Sequence, residues 1–423
     1  MSTNGYPDWD AATIKYGPNG NRLWVARYTS DGTREDGGQA VTADDVGDVY
    51  VAIYSGSATN GFDYVTVKYD TNGNQVWAAR YDGPAHADDF PYTIVVDASG
   101  NVYVTGESGG IGSDSDYATL KYDSNGSLLW AARYNGPGNS TDFGFRLAVD
   151  AAGNVHVSGA SIGSGTDYDI ATLKYDSNGN QLWLARYNGP GNGDDEMRAL
   201  ALDSAGNVYV AGWGYITNND SDYVTIKYGP NGQQLWLARY DGPSHGDDAA
   251  RALALDSAGN VYVTGRDQNS HVNSSGYTVS DYDYATVKYD ASGREVWVAR
   301  FDDPSHGDDF GRLIALDGAG NVYVSGYSAW NGGSDVNAYD YVTIKYTQVT
   351  ATAPTLVAPG LLPLGQFQLT LLGQAGQSYA IQVSTDLVNW VAATNFVSVT
   401  GTNQLTDSSP GNFERRFYRA VQQ

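Results

Sequence analysis

The stretch Ala201-Leu-Asp-Ser-Ala-Gly-Asn207-Val-Tyr-Val-Ala-Gly212 decides the fold. Its two arms alternate apolar and polar residues, the period of a β-strand with two different faces. Ser204-Ala-Gly-Asn207 between them has the composition of a tight turn. The stretch therefore reads as a hairpin, and six copies of it occur along the chain. Downstream of this copy lie Asp222-Tyr-Val-Thr-Ile-Lys-Tyr228 and Trp236-Leu-Ala-Arg-Tyr240. The first of these recurs seven times, ending at Tyr16, Tyr69, Tyr122, Tyr175, Tyr228, Tyr289 and Tyr346, spaced by 53 residues four times, then 61, then 57. The second begins at Trp24, Trp77, Trp130, Trp183, Trp236 and Trp297. Turns such as Asp123-Ser-Asn-Gly126 join the two arms, with Gly supplying the positive φ that a tight hairpin needs.

Each repeat thus holds four short strands, with no helical periodicity. A β-helix would have a much shorter period. A string of independent domains is disfavoured because a lone four-stranded sheet has two faces to bury. The expectation is all-β: a six-bladed β-propeller of four-stranded antiparallel blades over residues 8–346. A linker at 347–363 and a small β-sandwich-like domain at 364–423 are expected to follow. Six inner hairpins, around 41–52, 92–106, 145–159, 199–212, 252–265 and 313–326, set the blade number. The chain opens with an outer hairpin, Asp10–Tyr28, and ends with Asp340–Tyr346 lacking a Trp-x-Ala-Arg partner. Trp24–Tyr28 is expected to complete the last blade. Asp10–Tyr16 is then a spare strand, packed at the rim or offering an edge to a second molecule.

The motifs Ala-Leu-Asp-Ser-Ala-Gly-Asn-Val-Tyr-Val-x-Gly and Asp-Tyr-x-Thr-x-Lys-Tyr resemble the bacterial β-propeller repeat family called SBBP, over residues 8 to about 346. The family name implies seven blades, and the six inner hairpins depart from it. Ser384-Thr-Asp-Leu-Val-Asn-Trp390 and Arg416-Phe-Tyr-Arg419 resemble a module found at the C-termini of exported bacterial multidomain proteins. That resemblance implies export or surface display. Trp390 is expected in the core of this module.

The 24 basic and 48 acidic residues give a net charge of -24. Such a surface repels nucleic acid and anionic membranes and attracts cations, basic proteins or neutral sugars. No cysteine is present, which excludes disulfides, zinc–thiolate sites and cysteine nucleophiles. No stretch approaches the ~20 apolar residues of a membrane span. Met1-Ser2-Thr3-Asn4-Gly5 has neither a basic nor an apolar leader region. The chain is then either cytosolic or freed of its signal peptide. The composition and the C-terminal module favour the second, a secreted or cell-surface protein.

In a four-stranded meander, the blade-to-blade links and the loops between strands two and three share one side. The links carry Asp88-Asp89, Asp142, Asp194-Asp195, Asp247-Asp248 and Asp308-Asp309, expected at the channel mouth. Hard carboxylate oxygens suit Ca²⁺. Alternatively they latch the link, capping backbone N–H groups or pairing with Arg146, Arg198, Arg251 and Arg312. Recurrence in nearly every blade favours the latch. The loops that break the repeat lie in blades four to six and present Trp213 and Tyr215, then Asp267, His271 and Tyr277, then Tyr327 and Trp330. Aromatics amid Asn, Asp and Ser suit a glycan or protein ligand.

The seven lysines all occupy one repeat slot and are expected to bridge blades. Arg133 is expected to oppose Tyr117 as a cation–π pair. No phosphate loop, metal-spaced His pair or catalytic triad stands out. The leading expectation is an extracellular binding or scaffold protein. Self-assembly through Asp10–Tyr16 and an enzyme acting on polysaccharide are the alternatives.

Overall fold

The computed structural model describes residues 9–30, 35–57, 61–217, 220–272, 276–304, 306–329, 339–347, 355–361, 367–372, 377–397, 402–407 and 416–422. Regular structure among them is all β-strand. The chain divides into two compact units, Met1–Tyr346 and Thr347–Gln423.

The first unit is a β-propeller of antiparallel meanders, one per repeat. The first sheet is Asp36–Ala43, Val49–Ser57, Gly61–Tyr69 and Gln75–Tyr81, and the second is Asp89–Val96, Val102–Gly109, Ser115–Tyr122 and Leu128–Tyr134. The third is Asp142–Val149, Val155–Ile162, Tyr168–Tyr175 and Gln181–Tyr187. The fourth is Glu196–Leu202, Val208–Thr217, Asp220–Tyr228 and Gln234–Tyr240. The fifth is Ala249–Leu255, Val261–Val272, Thr278–Tyr289 and Glu295–Phe301. The sixth has three strands, Asp309–Leu316, Val322–Ala329 and Tyr339–Tyr346.

Both faces of a middle sheet are apolar, so successive sheets must stack. Tyr50, Ala52 and Tyr64 of the first sheet pack on Ile94, Val104, Leu120 and Tyr122 of the second. Tyr103 and Tyr117 of the second pack on Leu147, Val157, Leu173 and Tyr175 of the third. Tryptophan fixes the stacking. Trp77 Nε1 donates to Ser124 O at 3.1 Å, in the outer turn of the next sheet. Trp130, Trp183 and Trp236 repeat this bond on Ser177, Pro230 and Ala291. The Trp77 ring lies against Gly126, where φ is 84° and an added Cβ would come within 2.7 Å of the indole.

The N-terminal strands differ from expectation. Arg22–Tyr28 pairs with Ala11–Tyr16, in register from Ala11↔Tyr28 to Lys15↔Trp24, as a separate two-stranded sheet. It does not complete the sixth sheet. The short Gly17-Pro-Asn-Gly20 turn closes this hairpin at little loop entropy, so local pairing wins. The hairpin stacks on the first sheet, with Trp24 Nε1 on Thr71 O at 3.0 Å.

Two other expectations shift register or partner. The outer hairpin carries an irregularity between Leu128 and Trp130, so Arg133 opposes Ala118 and not Tyr117. Arg133 instead bonds Ser108 O, Gly109 O and Asp116. The lysines lie mainly over tyrosines of their own sheet: Lys68 over Tyr50 at 5.0 Å, Lys227 over Tyr209 at 4.8 Å.

The C-terminal unit has two three-stranded sheets. One joins Thr355–Leu361, Phe367–Leu372 and Thr402–Asp407, and the other Val391–Val397, Ser378–Ser384 and Phe417–Gln422. Leu371, Tyr379 and Ile381 form its core. Trp390 stays half-exposed, bonded to Leu387 O and covered by Arg419 at 4.3 Å, because the Ser384–Asn389 turn carries it away from the strands.

In the first strand of each sheet the register slips by a residue or more, as between Met197 and Ala199. The slip presses the Glu196 carbonyl against Gly212, where an added Cβ would lie 1.9 Å from that oxygen. Gly212→Ala is expected to lower stability by about 1–3 kcal/mol, the usual range for overpacking. Urea unfolding should show this as a lower midpoint at unchanged slope.

Candidate functional site

The links and the loops between strands two and three meet on one side. The second aspartate of each link ties them together. Asp89 accepts from Gly83 N at 2.7 Å and from Gly109 N at 3.2 Å. Asp142 accepts from Gly136 N, Asp195 from Gly189 N and Tyr215 N, Asp248 from Gly242 N and Gln268 N, and Asp309 from Asp303 N. All five side chains are fully buried. The first aspartate reaches the preceding sheet: Asp88 accepts from Phe62 N, Asp194 from Tyr168 N, Asp247 from Ser221 Oγ and Asp308 from Tyr282 N. Arg146, Arg198, Arg251 and Arg312 do not serve these carboxylates. Arg146 donates to Phe145 O at 2.9 Å, and the other three stack on aromatic rings.

Further carboxylates gather behind the links. Asp63, Asp82 and Asp89 offer oxygens within 4.8 Å of one another, as do Asp222, Asp241 and Asp248, then Asp283, Asp302 and Asp309, and Asp281, Asp302 and His306. In the two remaining links, Asn135 and Asn188 stand in the place of Asp82. The companion residue changes with it. His86, His245 and His306 bond Asp82, Asp241 and Asp302 at 2.6–2.7 Å, whereas Asn139 and Asn192 bond Asn135 and Asn188. A set of carboxylate oxygens alone is of the kind that a hard cation such as Ca²⁺ takes.

Burial raises these acids. Asp63, Asp222 and Asp309 are pushed up to about 6, Asp195 and Asp283 to about 7, and Asp248 to about 8. After burial, the Asp267 charge adds to the effect on Asp248.

A second constellation lies at the same ends of the strands. The residue at the register slip, three after Asp36, itself buried, and after each of the five buried link aspartates, is Gln39, Tyr92, Phe145, Arg198, Arg251 and Arg312 in turn. A bulge of this kind re-aims a side chain. The Arg198 guanidinium lies 4.7 Å from the Phe145 ring and 5.0 Å from Trp213, and Arg251 lies 4.8 Å from Trp213. Arg266 lies 4.3 Å from Tyr282 and 5.6 Å from Phe310. Arg312 lies 5.7 Å from Phe310 and 5.1 Å from Tyr327, whose hydroxyl it also bonds at 2.7 Å. Arginines and rings thus alternate across sheets three to six. Burial, then Arg198, Arg312 and Arg266, push Arg251 down to about 10.

Of the residues singled out from sequence, Trp213 and Tyr327 are rungs of this ladder. Tyr215 folds over the link, its ring against Gly191 and Gly193. Asp267 is not presented to a ligand: it is fully buried, bonded by Arg300 and by Tyr240 Oη at 2.6 Å. It occupies the slot of Ser108 and Ser161, which bond the equivalent arginines. Tyr277 is 71 % exposed. His271 pairs with Val279 in the extended fifth-sheet hairpin, and its side chain lies outside the described residues, as does Trp330. Sequence reasoning treated Arg198, Arg251 and Arg312 as latch partners and missed Arg266. Their signal was the switch to arginine at one repeat slot from the fourth sheet onward.

The raised acids give a pH dependence. Each carboxyl holds its proton more tightly folded than unfolded, where its pKa is about 3.9. Its contribution is full below that value and lost as pH rises through about 6 to 8. His86, His245 and His306, raised chiefly by their aspartates, act in the same sense. His156, buried and held near 4, acts oppositely. Asp317, held near 2 by Asn321, loses its contribution only in stronger acid. Melting temperature is expected to peak near about pH 5 and fall toward pH 8. Asp248→Asn should flatten the fall, and a melting temperature that rises from pH 5 to pH 8 would refute this.

The Beta-propeller repeat family, SBBP, matches residues 79–112. An uncharacterised WD repeat-containing protein of Acanthamoeba polyphaga mimivirus is 24% identical over 370 residues, 74% of this chain and 25% of its own length. The regulatory protein FlaEY of Caulobacter vibrioides is 34% identical over 116 residues, 24% of this chain and 12% of its own. The chain spans a quarter or less of these curated relatives. Among solved structures, a gluconolactonase of Xanthomonas campestris is 13% identical at a TM-score of 0.32, covering 66% of this chain and 86% of that one. The extracellular domains of Drosophila Semaphorin 1b are 9% identical at a TM-score of 0.33, covering 74% and 77%. The repeat matched at residues 79–112 and the four-stranded antiparallel sheets agree on a β-propeller.

Proposed function

We propose that this chain is a secreted or cell-surface binding or scaffold propeller, taking a glycan or protein ligand on the loop side of sheets four to six. The arginine–aromatic ladder carries this reading. It breaks the repeat, where residues kept in every sheet are explained by stacking and latching. The C-terminal resemblance supports export, and the six inner hairpins support six blades. Trp213 is shared by two arginines, so its loss should free both. A glycan array and a pull-down from extracellular material are expected to return a ligand whose binding Trp213→Ala abolishes. An empty screen overturns the reading, as does binding that Trp213→Ala and Tyr277→Ala leave intact.

One observation favours self-association as a second reading. Tyr341 is 97 % exposed, whereas its counterparts Tyr64, Tyr117, Tyr223 and Tyr284 are fully buried against the next sheet. The N-terminal hairpin likewise leaves Ile14 and Tyr16 exposed. The contact suited to these residues is face to face, not the edge of Asp10–Tyr16. Tyr117 Oη bonds Ala171 O and Tyr223 Oη bonds Ala285 O, and Ala12 holds that repeat position in the hairpin. Light scattering should then show mass growing with concentration, and Tyr341→Asp or Ile14→Asp should stop it. A constant monomer mass removes this reading.

A further inference from the structure

Four arginines crowd the ladder in a chain whose net charge is -24. The Nε atoms of Arg198, Arg251 and Arg266 are buried without a hydrogen-bond acceptor. Among the described residues, Arg251 and Arg266 make no salt bridge; each is held only by rings. The acids close by are committed. Glu196 bonds Arg198, and Asp247 and Asp308 bond Ser221 Oγ and Tyr282 N. Four guanidinium groups are therefore gathered at one place, with Arg198 alone of them salt-bridged among the described residues, to Glu196. Arg198, Arg251 and Arg266 are half-buried and Arg312 exposed, so a ligand can reach them.

We propose that this ladder binds an acidic oligosaccharide, its guanidinium forks taking uronate carboxylates or sulfate esters. The proposal rests on the binding reading above and narrows its ligand. A planar guanidinium held by an aromatic ring presents two parallel donors, the geometry that carboxylate and sulfate oxygens match. The same stacking occupies the rings: Trp213 serves Arg198 and Arg251, and Phe310 serves Arg266 and Arg312, which leaves little ring for a neutral sugar. The lengthened arm of the fifth sheet adds Ser270 and Ser280, both exposed, with Tyr277 exposed beyond them. Hydroxyls of this kind hydrogen-bond sugar hydroxyls. At physiological salt the remaining negative surface is screened beyond about 8 Å, so a short ligand feels the arginines first. A long, dense polyanion meets the rest of the surface and is repelled.

The test is calorimetric titration of the full chain with oligogalacturonate and with sulfated dextran oligosaccharide. Their neutral partners are methyl-esterified oligogalacturonate and dextran, and poly-glutamate and single-stranded DNA serve as other polyanions. The acidic saccharides are expected to bind, more weakly as salt rises, and the neutral ones to bind at least about tenfold less well. Which acid form binds separates carboxylate from sulfate. Arg251→Ala and Arg266→Ala should each weaken binding by about tenfold or more, and Arg251→Lys should restore only part, because it keeps charge without the fork. Arg312→Gln, at an exposed position, gives the same readout if the buried variants lose their melting transition. Equal binding of acidic and neutral saccharides overturns the anion chemistry and leaves the binding reading standing. Poly-glutamate or DNA bound in place of both saccharides overturns the saccharide. No ligand in any arm, with an empty array, removes both.

Discussion

The close approach of a carbonyl to a glycine sets the geometry of the loop side. At Gly106, Gly159, Gly212, Gly265 and Gly326 an added Cβ would lie 1.7–2.0 Å from the carbonyl oxygen of Phe90, Phe143, Glu196, Ala249 and Phe310. In these five sheets the missing Cβ leaves the first strand room to slip its register, whereas in the first sheet the slip forms opposite Ile53, beside Gly38. The slip puts one side chain per sheet out of the ladder of hydrogen bonds. In sheets four to six that side chain is arginine, and the rings that hold it stand on the adjoining strands. The candidate site therefore depends on a backbone contact that touches no ligand.

Charge is partitioned by depth along the same strands. The link aspartates are buried because each accepts backbone N–H groups from the link and most also from the neighbouring loop. Those bonds stabilise the negative charge. Burial opposes them, and in Asp195 and Asp248 burial wins, so these carboxyls sit near neutral pH. The arginines solve the opposite problem. They shed water against aromatic faces and keep their charge through the ring quadrupole. An acidic protein can thus hold a compact cluster of arginines of which, among the described residues, only Arg198 is ion-paired, with Glu196.

Much of the fold was legible because it repeats. The period, the alternation and the Asn-Gly turns fix four strands per repeat, and the structure has them. The stacking tryptophans were also readable as anchors. Less visible was the N-terminal hairpin, whose local partner outcompetes distant closure. The one-residue irregularity near Trp130 was not readable either, because a pattern of alternating residues cannot reveal where a register slips. That same limit hid the site. Arg198, Arg251 and Arg312 follow a conspicuous acidic link, and proximity in sequence suggested ion pairs. The bulge turns them from the aspartates to Trp213, Phe310 and Tyr327.

The fifth sheet shows how one exception spreads through such a scaffold. In the second and third sheets a serine, Ser108 or Ser161, shares an arginine with a buried aspartate, Asp116 or Asp169. In the fifth, Asp267 replaces that serine and takes Arg300 for itself. Asp283, the counterpart of Asp116, is left with Asn269 at 3.1 Å in place of a guanidinium. It rises to about 7, through burial and then through Asp302, Asp281, Asp267 and Asp309. A serine-to-aspartate change that would be neutral on the surface here moves an arginine and leaves a second acid uncompensated. The lengthened hairpin that supplies Asn269 is part of the same change, since it brings the amide that replaces the lost donor. Repeat proteins confine contacts to neighbouring units. The disturbance accordingly reaches Tyr240 of the preceding sheet, which donates to Asp267, while the Trp236 clamp keeps its bond on Ala291.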